Sequence, residues 1–144
     1  MSASSYVETY EVDGTQFVAI GEASTKIKAV LKELGILSTL VRRAAIVAYE
    51  AEMNLVIHGG GGSMKLEVDP DRVAIWAADS GPGIPDIERA MTEGFSTASD
   101  KIREMGFGAG MGLPNIERNA DDMELKSEVE KGTALKATIH LNKK

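Results

Sequence analysis

Two polar residues on one helical stretch and two glycine clusters hold the chemistry open to this chain. Glu50 and Asn54 stand four residues apart in a segment of helical periodicity, which stacks them one turn apart on one face. A carboxylate in that place can take a proton or orient a hydroxyl. A carboxamide oxygen suits Mg²⁺, which prefers few protein ligands together with phosphate oxygens and waters. Taken alone, such a pair is more often a solvated polar face. Glu52 points away from that face and is expected to be exposed.

Glycine is unevenly spread: 11 of the 15 lie between Gly59 and Gly112, mostly in clusters that helices and strands do not explain. In Asp79-Ser80-Gly81-Pro82-Gly83-Ile84-Pro85 an apolar strand runs into a tight turn, so Asp79 emerges at a strand end, where its carboxylate can accept from an amino group. An ordinary turn has the same composition. In Gly106-Phe107-Gly108-Ala109-Gly110-Met111-Gly112-Leu113-Pro114-Asn115 the glycines alternate up to the start of a helix with proline in its first turn. Alternating glycines let successive backbone N–H groups turn toward one anion, and the helix N-terminus adds partial positive charge. Lys and Ser/Thr do not follow the glycines, so this is not a P-loop, and the Rossmann spacing is also absent.

The elements that must position these groups follow from pattern. Residues 6–12 alternate, Asp13-Gly14 punctuates them, and Gln16 to Ile20 reads as the second strand of a β-hairpin. From Thr25, the spacing of Ile27, Val30, Leu31 and Leu34 predicts an amphipathic helix closed by Gly35. Ser38 is the expected N-cap of a longer helix that carries Glu50 and Asn54 and ends at the Gly59-Gly60-Gly61-Gly62-Ser63 run. That run reads as a loose helix-to-strand turn rather than a domain boundary, because the 58 residues before it are few for an independent core. Strands at 64–68 and 73–78 flank the Asp69-Pro70-Asp71 turn, the second apolar on both faces and therefore central. A short helix near Pro114 to Ala120 precedes a closing hairpin, Met123 to Val129 and then Leu135, Ala137, Ile139 and Leu141 in alternation. The count is about six strands and three or four helices, an α+β sandwich with one helical layer.

With 144 residues, 43% hydrophobic and 26% charged, the chain is expected to be one globular domain over 1–144. Its net charge of −6 gives no general footprint for nucleic acid. The absence of cysteine removes disulfides, thiolate zinc sites and cysteine nucleophiles. No apolar run approaches the ~20 residues that span a bilayer, so a soluble cytoplasmic protein is expected. His58 closes the long helix, where a positive ring suits the helix C-terminus, and His140 falls on the outward phase of the last strand. Neither reads as a phosphoacceptor. The seven methionines read as core or lid packing.

The order of these features carries a family resemblance: Glu50 and Asn54 on a helix, Asp79-x-Gly81-x-Gly83 after a strand, Gly108-x-Gly110-x-Gly112, then Gly132-Thr133. The chain resembles the GHKL, or Bergerat-fold, ATPases over nearly its whole length. Gly81-Pro82-Gly83-Ile84-Pro85-Asp86-Ile87 with Gly94-Phe95-Ser96-Thr97 is similar, more narrowly, to the RsbT-type serine kinases and related anti-sigma-factor kinases of bacterial partner switching. The resemblance implies a two-layer α/β sandwich with a mixed, mainly antiparallel sheet. It further implies Glu50 as general base, Asn54 as Mg²⁺ ligand and Asp79 as acceptor for the adenine amino group. Gly81, Gly83 and Ile84 would surround the base. Gly108, Ala109, Gly110, Met111, Gly112 and Leu113 would cradle the ATP phosphates, and Thr133 would support the adenine end. An ATP lid is expected at about 92–107, with Arg103 or Lys101 as candidates for the terminal phosphate and Ser96, Thr97 and Ser99 facing solvent.

The function this implies is a Mg·ATP-dependent protein serine/threonine kinase acting on a STAS-type antagonist, with a sigma factor, phosphatase or scaffold as a second partner. A nucleotide-gated binding module without phosphotransfer is the alternative. A slow ATPase of the chaperone or mismatch-repair kind ranks last. A homodimer is compatible with the anti-sigma branch, although no long apolar stripe demands one.

Overall fold

The computed structural model describes residues 6–15, 19–81, 91 and 112–141. Five strands and three helices are defined among them. In chain order these are β1 (Tyr6–Asp13), α1 (Glu22–Glu33), α2 (Ser38–Ile57), β2 (Gly61–Val68), β3 (Arg72–Asp79), α3 (Gly112–Asn119), β4 (Asp122–Glu128) and β5 (Gly132–His140). The sheet order is β1-β2-β3-β5-β4, and each pairing is antiparallel. β3 is therefore the middle strand, as its two apolar faces require.

One face of the sheet packs against the helices. Met64, Leu66, Val73, Ile75, Ala137 and Ile139 meet Val41, Ala44, Ala48, Ala51 and Leu55 of α2 in one buried cluster. The helical layer has α2 at its centre, in contact with α1 on one side and α3 on the other. On the opposite face Trp76 lies between the ammonium groups of Lys65 and Lys136, 4.8 and 4.6 Å from its ring centre. No described helix is long and apolar enough to cross a membrane.

Of the expected opening hairpin, Gln16, Phe17 and Val18 lie outside the described residues, and Ala19 and Ile20 do not continue a strand. β1 pairs with β2 from Tyr6↔Val68 to Asp13↔Gly61, while Ala19 and Ile20 lie in a turn that leads into α1. Half-buried Tyr6, Tyr10 and Val12 on alternate β1 positions pack against the core. Pairing with distant β2 sets the register that turns that face toward the helices. α1 starts at Glu22, before Thr25, and ends as its sequence indicates. Gly35, at φ 77°, donates to the Lys32 carbonyl and Ile36 donates to the Leu31 carbonyl, the paired bonds of a Schellman motif. Ser38 is the first residue of α2 rather than its cap, since Leu37 holds the N-cap place without a side-chain bond.

Candidate functional site

α2 is a 20-residue helix with no charged residue in its first or last turn, and its two flanks carry different chemistry. On the flank toward α3, Glu50 Oε2 accepts a hydrogen bond from Asn115 Nδ2 at 3.2 Å. Glu50 Oε1 is buried and has no hydrogen-bond partner among the described residues. Burial raises the Glu50 pKa above its ordinary value, and the Asn115 bond opposes that shift more weakly. A carboxyl so placed has a lone pair to spare and a greater appetite for a proton than one in water.

Asn54 sits one turn further on. A Cβ added to Gly112, the first residue of α3, would lie 3.0 Å from Asn54 Oδ1 and 3.2 Å from Nδ2. The end of the second glycine cluster thus abuts the carboxamide that four-residue spacing set beside Glu50. Beyond Asn54 the helix closes: its carbonyl accepts from the N–H of both His58 and Gly59.

Gly59 leads directly to Asp79. A Cβ on Gly59 would fall 2.6 Å from Asp79 Cγ and 2.7 Å from Oδ2, so only glycine lets the end of β3 lie this close to the end of α2. Asp79 Oδ1 accepts the Gly81 N–H at 2.8 Å, which fixes one carboxylate oxygen. Asp79 pairs in register with Thr133 on β5, whose Oγ1 lies 2.9 Å from Ser127 Oγ. From Glu50 to Gly59 the chain advances roughly 13 Å at helical rise, the scale of an extended nucleotide.

Of the residues singled out in the sequence, Glu50, Asn54, Asp79, Gly81, Gly112, Leu113 and Thr133 are thus gathered around the C-terminal half of α2 and the adjoining ends of β3, β5 and α3, with half-buried Leu113 against the core. Gly83, Ile84, Gly108, Ala109, Gly110 and Met111 lie outside the described residues. So do the expected lid at 92–107, Lys101 and Arg103, and Ser96, Thr97 and Ser99.

Three expectations change. Glu52 is buried rather than exposed, 3% accessible, and accepts from the N–H groups of Ala23 and Ser24 at 3.2 and 3.0 Å. It satisfies the start of α1, where the N-cap Gly21 has no side chain to do so. His58 does close α2, but burial holds its pKa below the ordinary value despite nearby Asp79, which disfavours the positive ring. The glycine run is a tight junction rather than a loose turn, and Gly61 and Gly62 are already part of β2. Asn115 and Gly59 were missed as site residues. Their signal was position, immediately after the second glycine cluster and immediately after the Glu50–Asn54 helix. His140 is half-exposed, with Nε2 2.9 Å from Asp122 Oδ2.

Comparison with known proteins gives the chain a family. Residues 39–143 match the family model described as "Histidine kinase-, DNA gyrase B-, and HSP90-like ATPase". The serine/threonine-protein kinase RsbT of Bacillus subtilis is 36% identical over 112 residues, covering 75% of this chain and 78% of that protein. An anti-sigma F factor of Bacillus licheniformis is 30% identical over 138 residues, covering 89% and 91%. A chain in the crystal structure of the SiaB–SiaC complex from Pseudomonas aeruginosa superposes with a TM-score of 0.61 at 12% identity, over 92% of this chain and 88% of that one, a likeness of fold.

Proposed function

We propose that this chain, which belongs to the histidine kinase-, DNA gyrase B- and HSP90-like ATPase family, is a Mg·ATP-dependent protein serine/threonine kinase that phosphorylates a STAS-type antagonist in a partner-switching pathway. The observation that carries the reading is the line of groups along α2: a half-satisfied buried carboxylate at Glu50, a carboxamide at Asn54 against the end of the glycine cluster, and Asp79 docked on Gly59. The kinase class is supported by the RsbT relative, and regulation of a partner by the anti-sigma relatives.

In this reading Asp79 accepts from the adenine amino group while Thr133, opposite it on β5, lines the same end. The phosphates lie toward α3, whose N-terminus favours negative charge. The partner's hydroxyl oxygen attacks the terminal phosphorus, the bond from that phosphorus to the ADP oxygen breaks, and the hydroxyl proton passes to Glu50 Oε1. Phosphoryl transfer depends chiefly on positioning and charge neutralisation, so no covalent enzyme intermediate is needed.

Asn54 fits Mg²⁺ by donor type, a hard carboxamide oxygen at the phosphate end. Mg²⁺ takes few protein ligands and keeps phosphate oxygens and water, so one carboxamide oxygen is enough from the protein. When bound, the ion would neutralise phosphate charge. A phosphoserine on the antagonist adds about −1.5 to −2 charge and favours release from an acidic surface.

The test is to capture partners from host lysate on the immobilised protein, add Mg·ATP, and weigh each partner intact, with Glu50→Gln in parallel. A partner heavier by one phosphate with the native protein alone is expected. If partners bind or leave with ATP while every mass stays unchanged, the chain is a nucleotide-gated binding module and the kinase reading is wrong.

A further inference from the structure

We propose that Asn115 is a positioning residue for Glu50, holding one carboxylate oxygen so that the other faces the incoming hydroxyl, and doing so from the helix that begins at the glycine cluster. The inference rests on the reading of Glu50 as the base.

A glutamate fixed only by its backbone is poorly aimed, because its terminal torsion is broad and roughly two-fold. The 3.2 Å bond from Asn115 Nδ2 to Glu50 Oε2 removes that freedom. The amide cannot present its oxygen to Glu50 instead, because Arg118 Nη2 donates to Asn115 Oδ1 at 2.6 Å. A cation on the oxygen leaves the N–H end for the carboxylate. Arg118, Asn115 and Glu50 therefore form one directed chain that ends on Oε2, leaving Oε1, which has no hydrogen-bond partner among the described residues, to accept.

The helix carrying that amide is held at both ends. Beyond its C-terminus, Arg43 of α2 donates from Nε to the Asn119 carbonyl at 2.9 Å and pairs with Asp121 at 3.1 Å. At its N-terminus Gly112 abuts the Asn54 carboxamide. The backbone that ends the phosphate loop thus continues, within three residues, into the side chain that aims the base.

The test uses the full chain, with a purified STAS-domain protein of the same genome as phosphoacceptor. Asn115→Asp keeps the shape and the Arg118 partner but sets a carboxylate against Glu50, and Asn115→Ala removes the donor. Both should lower kcat for transfer roughly 10- to 100-fold, the scale of a misplaced catalytic group, with ATP affinity within about threefold of native. The urea midpoints of Asn115→Ala, Glu50→Ala and the double variant should be non-additive, a readout independent of turnover. Unchanged kcat in the Asn115 variants while Glu50→Gln abolishes transfer would overturn the positioning role and leave the base intact. Loss of ATP affinity in step with kcat, or additive midpoints, would also overturn it, by reducing Asn115 to helix packing. Normal transfer by Glu50→Gln would remove the base itself.

Discussion

The contact between Gly59 and Asp79 allows the adenine end of the proposed site to be tested by a single methyl group. In Gly59→Ala the new Cβ would stand 2.6 Å from Asp79 Cγ and 2.7 Å from Oδ2. Carbon atoms in good contact lie about 3.5–4.0 Å apart, so the carboxylate must move by about 1 Å. It cannot simply rotate in place, because Oδ1 is already bound to the Gly81 N–H at 2.8 Å. An N–H···O bond lengthened by that amount is lost. The displaced carboxylate also leaves the place where it would accept from the adenine amino group, and losing a bond to a charged acceptor costs about 1.5–3 kcal/mol, roughly 10- to 150-fold in the Kd for ATP. Gly60→Ala is the matched control: Gly60 has a φ of 74° with nothing within 4 Å of the added atom, so it loses stability by about 1–2 kcal/mol through backbone strain and leaves Asp79 untouched. Calorimetric titration with Mg·ATP and Mg·GTP reads both effects, since guanine presents a carbonyl where adenine presents the amino group. Native protein should prefer ATP, Gly59→Ala should lose that preference, and Asp79→Asn, which keeps the volume, should lose it too. Native-like ATP binding by folded Gly59→Ala, or an equal loss in Gly60→Ala, would refute the reasoning.

Three further outcomes follow from burial and charge. Because burial raises the Glu50 pKa, the ionised native protein carries a desolvation penalty at neutral pH that is absent below the ordinary carboxylate value; Glu50→Gln should therefore unfold at a higher temperature at pH 7, with the advantage fading in acid melts. The His58 pKa is lowered, so its contribution to stability is present above the ordinary imidazole value and declines as pH falls through it; urea midpoints of native protein should drop across that window more steeply than those of His58→Gln. Glu52→Ala leaves the Ala23 and Ser24 N–H groups without their acceptor and should cost about 1–3 kcal/mol in urea unfolding, more than Glu52→Gln, which retains one acceptor oxygen.

What was legible in the sequence was local. The 3.6-residue period marked α1 and α2, strict alternation marked β4 and β5, and the ordered motifs from Glu50 to Thr133 marked the residues of the proposed site. What was not legible depended on which distant segment arrives. Asp13-Gly14 reads as a hairpin turn at short range, yet β1 is paired with β2 some fifty residues later, where Tyr10 opposes Met64 at the edge of the core. The four-glycine run has the composition of a linker, and only the approach of Asp79 to Gly59 shows that the small residue is a steric requirement.

Glu50 and Glu52 make the same point at the site itself. They are the same residue type two positions apart on one helix, which places them on opposite flanks. Glu52 falls within the apolar stripe of Ala48 and Leu55, so lying off the Glu50–Asn54 face put it into the core and not into solvent. Both are withdrawn from water, Glu52 more completely, but the flank toward α1 offers two backbone N–H groups that engage both oxygens of Glu52, whereas the flank toward α3 offers one amide and leaves an oxygen of Glu50 without a partner among the described residues. A buried carboxylate with both oxygens engaged by a helix start holds structure in place. One held on a single side, with its pKa raised, is disposed to receive a proton, and that difference supports the base proposed at Glu50 and gives Glu52 an architectural place.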